Sequence, residues 1–315
     1  MPSWTGVVRS SYFRLEEVAG GVFAAVVTPG VGAMGNAAIV DLGDRTLVFD
    51  TFLTTAAARE LREAAERLTG RPAGLVVNSH RHADHVMGNQ VFVPDAVVIS
   101  TANTRERLRI SPLFQQLPAL IAGLEERIAG ERDEASRSAL SSDLSDYRLL
   151  SAEAHDLHRV LADVTFDQQV TLYGSKRRAE LITYGGGHTS SDAFVHLPDD
   201  RVALMGDLLF VGSHPGFAHG DPREWQRILR QVRELDLEHV VPGHGPVGTV
   251  LDLDSELHYL VHIEELARSV IRGERTREEA LEEPLPPPFR AWRWRNVLAD
   301  NLTFLLDYLP RVDAA

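Results

Sequence analysis

Residues 80–85 read His-Arg-His-Ala-Asp-His and follow directly on the apolar run Leu75, Val76, Val77. No other segment restricts the chain so strongly, because four metal-ligand side chains crowd into six positions. A strand ending here places His80 and His82 on one face, since strand side chains alternate with period 2. Asp84 and His85 then fall in the following turn. The pattern suits two adjacent cations, the alternating histidines reaching one and the Asp-His pair the other. Imidazole nitrogen with carboxylate oxygen and no thiolate is a donor set that zinc accepts readily and that iron and manganese tolerate. A merely solvated histidine-rich turn is the weaker explanation, because such groups clustered without a metal leave polar atoms poorly satisfied.

Composition closes off several alternatives. The chain has no cysteine, so disulfides, thiolate metal sites, iron–sulfur clusters and cysteine nucleophiles drop out together. Any metal must sit on nitrogen and oxygen. A formal net charge of −13, from 45 acidic and 32 basic residues, repels phosphate backbones, and no nucleic-acid partner is expected. With 315 residues, 44% of them hydrophobic, the chain can bury a large core. Residues 1–14 lack a basic segment followed by an apolar stretch, and no apolar run approaches a bilayer span. The expectation is a soluble, cytoplasmic protein with no membrane partner.

Hydrophobic patterning predicts strands at 22–28, 37–42 and 46–49, a helix from a Thr54 or Thr55 cap to 68, and strands at 75–77 and 97–100. From about 104 to 161 the sequence turns charged and helical. Leu117, Leu120, Leu124 and Ile128 line one face, Leu140, Leu144, Tyr147 and Leu157 another, and 130–133 break the two. This reads as a helical hairpin inserted between two sheet-forming halves. Its apolar stripes pack on the body by default, with a lid or a homodimer contact as the sharper alternatives. Strands follow at 169–172, 179–183, 193–196 and 202–205, a helix begins at Asp221-Pro222, and Val240-Val241 are strand-like. Helices at 255–272 and about 292–308 fall within a C-terminal helical segment, 252–315. With no linker or repeat in evidence, residues 1–315 read as a single domain.

Three more polar residues sit among glycines or at strand ends: His188 after Gly185-Gly186-Gly187, Asp207 after Gly206, and His244 between Gly243 and Gly245. Each alone is an ordinary turn feature. With residues 80–85 they make a pattern that resembles the metallo-β-lactamase-fold hydrolase superfamily. The His-x-His-x-Asp-His cluster matches at His80, His82, Asp84 and His85, the later His, Asp and His match in order, and Asp50 matches the early strand-end aspartate. The resemblance spans about 22–246. It implies an α/β fold, a four-layer αββα sandwich with a helical insertion, its site along the edge where strands end. It also implies His80, His82 and His188 on one metal, Asp84, His85 and His244 on the other, Asp207 bridging them, and Asp50 orienting a ligand. Two zinc ions are the expected cofactors, with iron or manganese as substitutes.

Two divalent ions, two carboxylates and a hydroxide leave such a centre slightly positive, so it attracts electron-rich or anionic groups. Zinc lowers the pKa of bound water from about 15.7 to about 7, and metals roughly 3.5–4 Å apart hold nucleophile and substrate oxygen together. Hydroxide attack on a small ester, lactone, thioester or amide, a β-lactam included, is the expected reaction, with Asp84 and Asp207 as the catalytic carboxylates. Departures from subfamily patterns bear on the substrate. Many zinc β-lactamases of the family have cysteine or another residue where this chain has Asp207. Quorum-signal lactonases of this fold carry a tyrosine where this chain has Phe210, and Arg290, Arg293 and Arg295 give no match to the glutathione-binding region of glyoxalase II-like thioesterases. Phe210, His214 and His219 are candidates for substrate contact, the two histidines being read by default as surface loop residues. The alternatives are an iron-dependent, persulfide dioxygenase-like enzyme with one metal, and a small phosphodiesterase of the same fold.

Overall fold

A computed structural model describes residues 8–314; the first half of the N-terminal stretch read above, 1–7, lies outside the described residues. Two sheets carry the fold. The first runs in chain order: β1 (Phe13–Ala19), β2 (Val22–Val27), β3 (Ala37–Asp41), β4 (Thr46–Phe49), β5 (Leu75–Val77), β6 (Val97–Thr101) and β7 (Val164–Phe166). Its strands are antiparallel up to β4 and parallel from β4 to β7. The second contains β8 (Gln169–Tyr173), β9 (Arg178–Gly185), β10 (Asp192–Leu197), β11 (Val202–Phe210) and β12 (His239–His244), in the order β12-β11-β10-β9-β8. Only β11 and β12 pair in parallel there.

Strand alternation explains why the sheets stack. In β2, Val22, Ala24 and Val26 face one core while Phe23 and Ala25 face another. The same division holds in β3, with Ala38 and Val40 against Ala37 and Ile39, and in β4, with Leu47 and Phe49 against Val48. The first set of each strand meets Ala193, Val195, Leu197, Val202 and Leu204 of the second sheet, which makes the inter-sheet core. Both faces of each sheet are therefore apolar, and each outer face takes a helix layer. α1 (Thr55–Thr69) covers the first sheet through Ala57, Ala58, Leu61, Ala64 and Ala65. The helices flanking the site region are α2 (Ala83–Val86), α3 (Ala102–Arg109), α4 (Leu113–Gly130) and α5 (Glu134–Glu153). α6 (Pro222–Arg233), α7 (Val250–Ile271), α8 (Arg277–Glu282) and α9 (Val297–Asp313) follow, and they cover the second sheet around buried Trp225, Tyr259 and Leu302. The result is the expected αββα sandwich.

Several boundaries differ from the sequence reading. α7 starts at Val250 rather than 255 because Thr249 and Asp252 form a reciprocal capping box. The last helix starts at Val297, since Arg293 bridges to Ser213 and Trp294 has φ 59°, which breaks the expected helical run. β11 continues through Phe210, five residues beyond the predicted end, and so carries Asp207 inside a strand.

The insertion is tied to the body. Asp146 of α5 accepts hydrogen bonds from the backbone N–H groups of Gly30 (3.1 Å) and Gly32 (2.5 Å), and Ser145 Oγ donates to the Gly30 carbonyl. Glu153 receives the Thr55 N–H at the start of α1 at 2.8 Å. Leu117 and Leu150 pack with Leu53 and Met87. Packing on the body is thus the observed arrangement. Among the described residues no helix is long and apolar enough to cross a membrane.

Candidate metal centre

The ligand-type side chains gather where strands end. β5 stops at Val77, so strand alternation does not place His80 and His82, contrary to the sequence reading. A turn over 78–82 leads instead into the single turn of α2, which carries Asp84 and His85. That turn is held from below. Asn78 and Asn89 exchange side-chain hydrogen bonds, and the Ser79 carbonyl accepts from the Ala193 N–H of the second sheet at 2.8 Å.

Asp50, directly after β4, is fully buried and has φ 59°. Its Oδ1 accepts from the Ser79 N–H at 2.8 Å, and its Oδ2 from Ser79 Oγ at 2.7 Å and lies 2.8 Å from His85 Nδ1. One buried carboxylate thereby holds both the 78–82 turn and the His85 ring. Burial pushes its pKa up against the pull of His85 and Ser79. His80 Nδ1 lies 2.9 Å from Ser79 Oγ, which leaves Nε2 turned inward.

Two glycines are required here. A Cβ on Gly206, at φ 53°, would lie 2.5 Å from the Ser79 Cβ, and one on Gly243 would lie 1.9 Å from Asp207 Oδ1. Only glycine lets β11 approach the Ser79 turn at Gly206 and β12 approach Asp207 at Gly243. His188 stands in the 185–189 loop because Asp192, buried at the start of β10, accepts from Gly187 N–H (2.7 Å), Thr189 N–H (2.9 Å) and Thr189 Oγ1 (2.7 Å). The Trp225 ring meets His188 edge-on at 5.3 Å. Phe210 stacks on His244, with centroids 5.0 Å apart and ring planes at 19°. It buttresses a ligand-type residue where a tyrosine would offer a hydroxyl. At the end of β11 the Phe210 N–H donates to Glu256 Oε2 at 2.6 Å, and burial drives the Glu256 pKa well above the usual carboxyl range.

The seven residues converge. Donor atoms of His80, His82, His188 and Asp207 lie within 4.8 Å of one another, and so do those of Asp84, His85 and His244. Asp207 stands between the groups. Its Oδ2 is 3.2 Å from His188 Nε2 and 3.6 Å from His80 Nε2, while its Oδ1 is 3.1 Å from His85 Nε2 and 3.4 Å from His244 Nε2. Asp84 Oδ2 faces His85 Nε2 at 3.2 Å and His244 Nε2 at 3.4 Å. His82 Nδ1 lies 3.0 Å from His188 Nε2, and its Nε2 lies 3.0 Å from His219 Nδ1.

These donors fit metal ions. His80 Nε2, His85 Nε2 and Asp207 Oδ1 are buried and have no hydrogen-bond partner although they nearly touch, because they point at common centres rather than at each other. Each such orphan costs about 1–3 kcal/mol, and cations held by the two donor groups would satisfy all three. The electrostatics agree. Burial, then neighbouring His85, hold the His80 pKa well below the ordinary imidazole value, and burial with His80 and His188 does the same for His82. Both are therefore neutral, the form that binds metal. Burial works to raise Asp207, yet the imidazoles of His85, His244, His80 and His188 outweigh it and hold the carboxylate ionised. Burial opposes charge on His85, but Asp207, Asp84 and Asp50 drive its pKa well above the imidazole value. The field that does so is one that attracts a cation.

A cavity of about 830 Å³ opens over the centre. Phe210, His214 and His219, the candidates for substrate contact, all line it. His214 is not a surface loop residue, however. It is 1% exposed, its Nδ1 lies 2.9 Å from Tyr259 Oη, and burial with help from Arg295 lowers its pKa to about 4. The sequence reading missed Ser79, Asp192 and Glu256, and it missed Asp143, Tyr147 and Trp294 of the cavity lining. Asp192 alone left a signal, the Thr189-Ser190-Ser191-Asp192 turn pattern.

Comparison with known proteins agrees with this geometry. Residues 30–244 match the model of the metallo-beta-lactamase superfamily. Among solved structures, a metallo-beta-lactamase from Pontibacter korlensis superposes with a TM-score of 0.57 at 19% identity, covering 79% of this chain and 98% of its own. The FIM-1 metallo-beta-lactamase from Pseudomonas aeruginosa, in its mono-zinc form, gives 0.58 at 15% identity, covering 80% and 96%. The DIM-1 metallo-beta-lactamase gives 0.57 at 17% identity, covering 80% and 98%.

Proposed function

The chain belongs to the metallo-beta-lactamase superfamily, and on that footing we propose that it is a dinuclear zinc hydrolase of a small ester, lactone, thioester or amide. One observation carries this reading: the two oxygens of Asp207 turn to two different donor groups. A single-metal site needs only His80, His82 and His188 and leaves the convergence of Asp84, His85 and His244 without a purpose. Zinc is the metal of the FIM-1 structure, and the all-nitrogen and oxygen donor set suits it.

His80, His82 and His188 would hold one ion with Asp207 Oδ2, and Asp84, His85 and His244 the other with Oδ1. Bound zinc supplies Lewis acidity and brings the pKa of water down to about 7. Asp84 would take a proton from the attacking water and return it to the leaving group. Its contacts with His85 and His244 hold its pKa low in spite of burial, so it is a weak base that gains from a water already acidified. Asp50 fixes the His85 ring. Phe210, Trp294 and Tyr147 narrow the water-accessible space over the centre. A cavity of about 830 Å³ suits a small molecule better than a polymer.

Two measurements on untreated protein test this: metal content, and turnover of a panel of aryl ester, lactone, thioester, β-lactam and phosphodiester. Two zinc ions per chain with cleavage of a carboxylic derivative are expected. One iron per chain with oxygen uptake on a persulfide, or cleavage confined to the phosphodiester, overturns the reading.

A further inference from the structure

Arg81 lies between two of the ligand-type histidines and lines the cavity, as does Arg107 of α3. Neither guanidinium has an ion-pair partner among the described residues. The carboxylates whose fields reach them are engaged elsewhere: Glu106 pairs with Arg109 at 2.7 Å, and Asp192 is filled by Gly187 and Thr189. Arg81 is half-buried and Arg107 is exposed on α3, and both face the same cavity. In a chain with 45 acidic residues, two neighbouring arginines without a carboxylate mark a place where the negative partner comes from outside.

Both are firmly mounted. The ligand-type histidines flank Arg81. Arg107 rides on a helix whose N-cap, Thr101, bonds Ser191 Oγ at 2.7 Å, while Thr104 Oγ1 donates to the Ser191 carbonyl at 3.2 Å. That helix is therefore fixed to the stretch directly after His188. The insertion supplies a different wall to the same cavity through Leu108, Ile110, Leu113 and Leu120, and Ile110 and Leu120 are 52% and 37% exposed. Aliphatic side chains left uncovered at a cavity mouth mark a surface that an apolar ligand covers.

We propose that the substrate is an anionic amphiphile, with an oxyanion group seated on Arg81 and Arg107 and an aliphatic portion laid along the insertion wall. Guanidinium forks recognise carboxylate and phosphate oxygens alike. The idea rests on the hydrolytic reading only for which bond is cut; the binding itself is measured without turnover.

The test is calorimetric titration of the metal-loaded protein with octanoate, octyl phosphate, acetate and 1-octanol, on wild type, Arg81→Gln, Arg107→Gln and the double variant. Metal content is measured in each. Wild type is expected to bind octanoate at least about tenfold more tightly than acetate, and the double variant to lose about tenfold or more for octanoate at unchanged metal content and unchanged affinity for octanol. The tighter of octanoate and octyl phosphate identifies the oxyanion. Arg107→Gln, at an exposed position, is expected to weaken octanoate binding by about threefold or more and decides the matter if Arg81→Gln fails to fold. Equal octanoate affinity in wild type and variants means that the metals alone hold the oxyanion, and overturns the proposal. So does an equal loss for octanol, or no preference of octanoate over acetate. A protein inactive on every ester, lactone, thioester and amide contradicts the hydrolytic reading and leaves these affinities intact, so the two failures are distinguishable.

Discussion

The floor and the wall of the cavity are built on opposite principles. The floor consists of polar donors at or near strand ends, several of them held by a buried partner: His85 by Asp50, the 78–82 turn by Asp50 and Asn89, the His188 loop by Asp192. The insertion side of the wall consists of aliphatic side chains on helices that reach the body through a few polar ties, chiefly Asp146 and Glu153. The floor's geometry is over-determined, as donors that could hold a metal ion require. The wall has only to exclude water and offer shape. The difference teaches that chemistry and selectivity are separable here: damage to the floor should abolish reaction with every substrate, and damage to the wall should change which substrate is taken.

The sharpest division comes from Asp207→Ala. Metal content should fall at both positions and turnover should drop by more than the ~10–100-fold typical of outer-shell partners; elemental analysis and initial rates measure both. Full activity at unchanged metal content removes the bridging role. Next is Asp50→Asn, which keeps the shape and takes the charge from behind His85. Chelator competition should show metal held ~10–100-fold more weakly, and an unchanged affinity would mean that the floor does not depend on this support. On the wall, Asp146→Ala strands the buried Gly32 amide and the part-buried Gly30 amide. Denaturant unfolding should report a loss of about 1–3 kcal/mol with metal content intact, whereas loss of metal would show that the wall positions the floor.

The smallest effect concerns His214, whose folded-state pKa of about 4 lies below the ordinary imidazole value of 6.5. A depressed imidazole pKa contributes stability above pH 6.5 that is lost as pH falls toward 4, because the unfolded chain takes up the proton first. His214→Asn should therefore flatten the stability–pH curve over that window by up to about 1.4 kcal/mol per pH unit. An unchanged slope would place His214 in solvent.

This division also explains what the sequence made legible. Seven donors, three of them with glycine at their elbows, were readable because ligand chemistry restricts residue type at each position, and apolar runs in 22–28, 37–42 and 46–49 announced strands. Of the supports only Asp50 was readable, and that through the family resemblance rather than through its contacts. Asp50 reaches Ser79 across 29 positions and Glu256 reaches Phe210 across 46, and a carboxylate whose role depends on such a contact looks like any other in one dimension. The route from β5 to the histidines was misread for a local reason, since three strand residues followed by a turn give the same apolar run as a longer strand. The arginine pair escaped notice because Arg81 and Arg107 become neighbours only when α3 is fastened to the stretch after His188.

The central claim is that Asp207 stands between two metal ions. Anomalous diffraction at the zinc edge on crystals of protein purified without chelators tests it directly. The account predicts two peaks, one among His80, His82 and His188 and one among Asp84, His85 and His244, about 3.5–4 Å apart with Asp207 between them. A single peak, or peaks away from Asp207, would contradict it.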